Sequence, residues 1–381
     1  MLSPSSDQRQ LFADIVDFAK VNINPNVLER RRNKQFSREL WEECGRHLGL
    51  QGLPAPVEYG GRGANASTTA FAMEALGYAC EDSGLSFAIG AHLLACVVPI
   101  LHHGSDAQQD KYLRDLSTGA LVGCNAMTEV EGGSDIFAIR TTARPTDDGY
   151  IINGAKSFIT NASEADVSII YARSDPAKGF IGGLSAFMVD AALLSDRTRI
   201  DQKPLETCSI GAFSLDNILV RREECLGGEG NGATVFNHCM AWERVGLSAM
   251  HVGRMRRILE YTVAFAKGRK TSEGSITRFQ SVTNKIANMK VKTEAAAALT
   301  YRAAAKLDAN RIATIEAAEA KLFTSDAFVA VSIDAIEILS STAMLTDSPI
   351  NDCLMHALAS MNYSGTNDIQ RNIISKWLLC E

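Results

Sequence analysis

The apolar positions of the first 118 residues fall at helical spacing. Leu11, Phe12, Ile15, Val16 and Ala19 form one amphipathic stripe, and Leu40, Trp41, Cys44 and Leu48 form another. The stretch 49–63 that follows carries Leu53–Pro54–Ala55–Pro56 and Glu58–Tyr59–Gly60–Gly61, which is turn chemistry. Helices near Ser67–Leu76, Gly84–His103 and Ala107–Ser117 complete an all-helical part. At Gly119 the period shortens. Leu121–Met127, Ile139–Ala143, Tyr150–Asn153, Lys156–Thr160, Val167–Ala172, Gly183–Val189 and Ala212–Val220 are short, alternating or β-branched, with turn residues between them. Asp147–Asp148–Gly149 and Asn153–Gly154 read as hairpin turns. From Gly227 the helical period returns, predicting helices over 231–268, 280–308, 312–340, 349–361 and 367–379. The pattern is α+β in three parts: an N-terminal helical domain (1–118), a small antiparallel, barrel-like β-domain (119–225) and a C-terminal helical bundle (226–381). No internal repeat or low-complexity tract interrupts it.

The helix predicted over 231–268 carries an acid on its apolar face. Phe236, Met240, Glu243, Leu247 and Met250 recur at spacings of four, three, four and three, which is one side of a helix. Burial disfavours a charged carboxylate and raises its pKa toward the range useful for proton transfer. Two readings stand: Glu243 is a general base, or it forms a structural ion pair with Arg244 or Arg257.

Composition narrows the class. At 381 residues the chain exceeds one ordinary core, and 46% hydrophobic with 22% charged residues is globular usage. The net charge of −6, with Lys and Arg scattered, argues against nucleic acid as a partner. Nine cysteines without a CxxC pair, and seven histidines without HxxxH spacing, predict neither a disulfide scaffold nor a metal site. A reducing, cytoplasmic setting follows. Met1–Gln10 has no apolar signal core, and the apolar run Leu85–Leu101 is short for a membrane span, so it predicts a buried helix.

Four further stretches carry candidate chemistry. Gly227–Gly228–Glu229–Gly230–Asn231–Gly232 opens a helix, but no βαβ crossover accompanies it, so it reads as a domain-joining loop and not a dinucleotide fingerprint. In Thr128–Glu129–Val130–Glu131–Gly132–Gly133–Ser134–Asp135, glycines beside a hydroxyl let backbone N–H groups approach a phosphate or polar ring edge. Phe158 and Thr160 share a face by period two, which suits a planar heterocycle or an ordinary core equally. Ser364–Gly365–Thr366–Asn367–Asp368 opens the last helix, with Thr366 or Asn367 as N-cap and free N–H groups beyond.

Taken in order across nearly the whole chain, these stretches resemble the acyl-CoA dehydrogenase family. The resemblance rests on the helical/β/helical layout, Met127–Thr128–Glu129 through Gly133–Ser134–Asp135, Asn153–Gly154 with Phe158–Thr160, and Ser364–Gly365–Thr366. It implies FAD between the β-domain and the C-terminal helices, with an acyl thioester beneath its ring. By position, Met127 and Thr128 would touch the flavin ring, Gly133 and Ser134 its ribityl–phosphate side, and Phe158 would flank the ring. Thr160 would bond near flavin N5, and Thr366 and Asp368 would contact the cofactor from the last turn. Arg269 and Gln280 would reach the diphosphate and adenine end from a neighbouring subunit, in a homodimer or homotetramer. Most of the family places Glu immediately before the Gly–Thr of the last turn. Here that position is Ser364, and Glu243–Arg244 resembles the minority arrangement with the base on the long helix. Arg244, Ser134 and Ser364 would then face substrate.

Trp242–Glu243–Arg244 with Ser364–Gly365–Thr366, and Ala91–His92 with Ala95–Cys96 through Pro99–Ile100, look most like the branch that oxidises L-prolyl groups on peptidyl or acyl carrier proteins. A short- or branched-chain acyl-CoA dehydrogenase, a flavin-free binding homologue and a same-fold monooxygenase are the alternatives. Two departures from the family pattern fall at the adenosine end. Ser272–Glu273 stands for Phe–Gly, and Ser340–Ser341–Thr342–Ala343 for a glycine-rich turn, with Glu337 where Gln is common. They predict a weaker or differently built adenine contact beside an intact ring end.

Overall fold

The computed structural model describes residues 4–379. The chain packs as two compact units. One joins the opening residues up to Glu29 with Ala66–Ser86 and everything from Arg244 on; the other holds Arg30–Asn65 and Phe87–Glu243. The helices of the first 118 residues are thus shared between the units.

The second unit is built on a sheet. Its strands are β1 (Gly123–Ala126), β2 (Thr142–Thr146), β3 (Gly149–Thr160), β4 (Val167–Arg173), β5 (Leu184–Asp190), β6 (Ser195–Arg199), β7 (Ile210–Val220) and β8 (Cys225–Leu226). The order is β6-β7-β3-β2-β4-β5-β8, with β1 beside β4. Most neighbours are antiparallel, as the pattern predicts, but β4 is parallel to both β1 and β2. Alternation sets which face a side chain takes and is silent on strand direction, so the parallel pairs leave no mark in the sequence pattern.

The Asp147–Asp148 hairpin is present, with Thr146 opposite Gly149. The Asn153–Gly154 hairpin is not. The two strands expected there are one, and β7 follows both halves across a register shift between Ile152 and Gly154. Gly154 has φ +154°, and a Cβ there would lie 2.4 Å from Thr141 Oγ1, so the glycine makes a bulge where a turn was expected. β6 has no apolar face and was not predicted. Ile152, Ile159, Phe187, Phe213 and Leu215 fill the core beneath the sheet; each such buried side chain contributes roughly 1.5–3 kcal/mol.

The first unit is helical. Helices Gly232–Gly268 (from Arg244 on in this unit), Gln280–Asp308, Thr314–Leu339, Cys353–Ser360 and Asn367–Leu379 match the predicted set within a few residues at each end. Val252, Met255, Ile258, Met289, Phe328 and Val331 form its core. The long helix crosses Ala66–Ala79 at contact distance: a Cβ on Gly77 would sit 1.9 Å from Met250 O, and one on Gly253 1.9 Å from Glu74 O. Backbone lies directly on backbone there, which only glycine permits.

The helical run Ser83–His103 is long and apolar enough to cross a membrane by length and composition, yet 89% of its most apolar window is buried within the protein. The eight cysteines among the described residues are free thiols. No group of three or more His, Cys, Asp or Glu among those residues is placed to hold a metal ion.

Candidate active site

In the sheet unit, β1 is pinned at both ends. At its start, Gly123 N–H donates to His92 Nδ1 at 2.9 Å, and Gly123 O accepts from Asn161 Nδ2 at 3.3 Å. His92 Nε2 lies 3.0 Å from Leu116 O. A carbonyl only accepts, so the ring proton is on Nε2 and the other nitrogen is the acceptor. Burial, against the pull of that carbonyl, brings His92 down to about 4 and keeps it neutral.

At the other end, Met127 O accepts from Lys156 Nζ at 3.1 Å and Thr128 O from Ser157 N at 3.0 Å. Lys156 is buried, and its ammonium meets Glu129 at 2.9 Å. Glu129 also accepts from Thr141 N at 3.0 Å, the Thr141 hydroxyl and Arg140 N at 2.7 Å. Burial lowers Lys156 to about 8 despite its carboxylate partner. Burial opposes the charge on Glu129 as well, but Lys156, Thr141 and the Arg140 N–H outweigh it and hold the carboxyl below its usual range. The pair fixes the backbone of Met127 and Thr128 beside β3. Met127 is buried and Thr128 half-buried; beyond them Gly133 and Ser134 are exposed.

β3 presents the other sheet residues. A second register shift lies between Lys156 and Ile159. Lys156 and Ile159 go inward, while Phe158, at φ +57°, is 63% exposed and Thr160 half-buried. Phe158 and Thr160 therefore share the side away from the core, though through a bulge and not by simple alternation. A bulky residue with positive φ is uncommon and points to a constraint beyond packing.

Along the long helix Met240, Glu243, Leu247 and Met250 are buried and Phe236 half-buried; Glu243 is 9% exposed. Arg257, one of the two cations weighed as its ion-pair partner, bonds Glu81 at 2.9 Å. Arg244 is buried, and its Nε donates to Ser364 O at 3.1 Å.

Ser364 belongs to a turn in the helical unit that is held from several sides. Ser364 and Gly365 are both left-handed, at φ +57° and +81°. Gln370 Nε2 reaches the carbonyls of Ser364 and Gly365 at 3.2 and 2.8 Å. Thr366 Oγ1 accepts from Ile369 N at 3.3 Å, so Thr366 is the N-cap of the last helix. Asn367 points inward, taking hydrogen bonds from Lys321 Nζ at 2.7 Å and Ser325 Oγ at 2.9 Å and donating to Asp326 at 2.8 Å. Lys321 also donates to Met361 O at 3.1 Å. Burial first, then the nearby Arg244 charge, lowers Lys321 to about 7. Asp368 is exposed and bonds Arg371 at 2.9 Å.

Arg269 and Gln280 are exposed and flank a two-stranded hairpin, Lys270–Thr271 with Gly274–Ser275, whose tip is Ser272–Glu273. Ser340 lies at φ +54°, ψ −138°, and Glu337 pairs with Lys285 at 3.1 Å.

The structure thus brings Thr128 beside Ser157–Phe158 in one unit and Arg244 onto Ser364 in the other. Lys156, His92, Asn161 and Lys321, which do the holding, were not singled out by sequence pattern. A lysine inside an apolar strand was the available signal for Lys156.

Sequence comparison agrees with this architecture along the whole chain. Residues 5–120, 124–218 and 230–379 match the N-terminal, middle and C-terminal domain models of the acyl-CoA dehydrogenases. The chain belongs to the acyl-CoA dehydrogenase family. It is 38% identical over 376 residues to an L-prolyl-[peptidyl-carrier protein] dehydrogenase of Serratia sp., covering 98% of this chain and 97% of that one. Isovaleryl-CoA dehydrogenase of Oryza sativa is 30% identical, covering 98% and 91%. Among solved structures, PigA with FAD and proline superposes with a TM-score of 0.95 at 37% identity, covering 99% of each chain. The prolyl acyl carrier protein oxidase AnaB gives 0.95 at 37%, covering 99% and 100%.

Proposed function

We propose that this protein is an FAD-dependent dehydrogenase or oxidase of an L-prolyl thioester carried on a peptidyl or acyl carrier protein, with Glu243 as the base. FAD, when bound, supplies the acceptor for the β-hydride. Glu243 takes the α-proton, for which a buried carboxylate is suited. Met127 and Thr128, with backbone fixed by Lys156, would hold the flavin ring together with Phe158 and Thr160. Gly133 and Ser134 would take the ribityl–phosphate side, and Thr366 and Asp368 would contribute to holding the cofactor. Arg244, Ser134 and Ser364 face the acyl group. A second copy of this chain, in a homodimer or homotetramer, supplies Arg269 and Gln280 to the diphosphate and adenine end.

Two features fit a flavin. The Phe158 ring is held out of the core at φ +57°. At Gly133 a side chain would meet nothing within 4 Å, so internal packing does not require the glycine and leaves room for a ligand. The observation that carries the choice of base is Glu243 buried on the long helix while Ser364 occupies the turn. The 38% identity to a prolyl-carrier enzyme supports the substrate. The adenine contact is differently built, since Ser272–Glu273 and Ser340–Ser341 replace the family's usual residues there; FAD affinity below that of ordinary members is expected.

The test is anaerobic mixing of the flavin-loaded protein with L-prolyl carrier protein and, separately, with isovaleryl- and butyryl-CoA, following flavin absorbance and carrier mass. Bleaching with the prolyl carrier and loss of hydrogen from it is expected. Bleaching by the CoA esters alone makes this a branched- or short-chain acyl-CoA dehydrogenase. Glu243→Gln should keep fold and flavin and lose reduction; undiminished reduction removes Glu243 as base.

A further inference from the structure

One residue beyond Glu243, the long helix presents a second polar face. Arg244, Ser248 and His251 follow at spacings of four and three, and all three are buried. Two of them reach consecutive residues of the turn. Arg244 donates to Ser364 O, and His251 Nε2 lies 2.7 Å from the Tyr363 hydroxyl. The His251 ring stacks on Phe328, with centroids 5.4 Å apart, and lies 5.9 Å from the Tyr363 ring.

A leucine or phenylalanine would pack on Phe328 as well, so packing does not explain an imidazole here. A buried polar ring is costly unless it is hydrogen-bonded, and its bonded partner is the phenol. Burial, then the charges of Lys321 and Arg254, bring His251 down to about 3. It is neutral at any working pH and is not itself an acid or base for the reaction. The turn it touches needs outside support, because Ser364 and Gly365 are successive left-handed residues and the first has a side chain.

We infer that His251 is a positioning residue: its hydrogen bond to Tyr363 holds the phenol and the Tyr363–Ser364–Gly365 backbone in one conformation toward the acyl thioester. This rests on the reading of the turn as substrate-facing given above. Arg244 and His251, two turns apart on one helix, act as a two-point clamp on the segment where most of the family carries its base.

The experiment has two readouts on the flavin-loaded protein, for His251→Leu, His251→Gln, Tyr363→Phe and the His251→Leu/Tyr363→Phe double variant. The first is amide hydrogen exchange over residues 361–367, which needs no turnover. Exchange about 10-fold faster in His251→Leu and Tyr363→Phe is expected, as for loss of one buried hydrogen bond, with His251→Gln near the parent. The second is the rate of flavin reduction by saturating L-prolyl carrier. Each single variant should fall about 10- to 100-fold, the scale of a displaced reacting group, and the double variant no further.

Unchanged exchange in a folded His251→Leu, or single losses that multiply in the double variant, overturns the inference. If His251→Leu does not fold, Tyr363→Phe decides by the same exchange criterion. A parent protein whose flavin no prolyl thioester reduces sinks the functional reading instead, and exchange alone then judges the clamp.

Discussion

Two backbone segments of this protein are fixed by buried polar side chains, and they are fixed by opposite means. In the sheet unit, Met127–Thr128 is held by Lys156, whose charge is met by Glu129 at 2.9 Å. In the helical unit, the 361–367 turn is held by Lys321 and Arg244, which donate to carbonyls and an amide oxygen. Asn367 in turn donates to the carboxylate of Asp326, which Arg371 also approaches at 3.5 Å. The first clamp is centred on an ion pair; the second is centred on hydrogen bonds to neutral carbonyl and amide oxygens. The first therefore fails badly when one member is lost. The second tolerates a deletion better.

The sharpest break of that comparison is a matched pair of substitutions. Lys156→Met leaves Glu129 buried and uncompensated, which costs about 3–5 kcal/mol. Lys321→Met leaves only neutral acceptors and should cost about 1–3 kcal/mol. Urea unfolding of both variants measures the difference, and equal losses would mean that the two clamps are not distinct in kind.

A smaller effect comes from pH. His92 and His251 are depressed to about 4 and about 3, below the unfolded value near 6.5. The unfolded chain then binds more protons, so stability is whole above about 6.5 and falls as pH drops toward those values. Lys321, at about 7 when folded, has the same sign in a higher window: stability goes on rising from about 7 toward the unfolded lysine value near 10.4. Lys156, at about 8, adds the same sign above that value. Thermal midpoints from acid to mildly alkaline pH should therefore climb throughout, and Lys321→Met should lessen the slope above about 7 while leaving the acid part unchanged. A midpoint that falls above neutrality in the parent, with no change in the variant, would contradict this.

The smallest effect sharpens the account of backbone strain. Ser340 holds φ +54°, ψ −138°, which glycine reaches without penalty. Ser340→Gly should gain about 1 kcal/mol after glycine's own entropic cost, read as a small rise in thermal midpoint.

The long helix and the buried face around Glu243 were legible because a 3.6-residue period needs only local sequence. So were the glycine-bearing stretch after Thr128 and the Thr366 cap. The clamps were not. Lys156 and Glu129 are 27 residues apart, and His251 and Tyr363 are 112 apart, so only the tertiary fold pairs them. The bulges of β3 were misread for another reason: Asn153–Gly154 signals a backbone irregularity, and pairing with β7 decided that it was not a reversal. Phe158 is the same case, since alternation cannot foresee a residue at positive φ.

The glycine crossing at Gly77 and Gly253 has a mechanical consequence for everything mounted on the long helix. With carbonyl oxygens seated where side chains would be, the helix can neither ratchet lengthwise nor roll against Ala66–Ala79 without collision. Arg244 and His251 thereby inherit a fixed axial register, and a methyl group added at position 253, on the same helix as both, would be felt as a displaced grip on the turn.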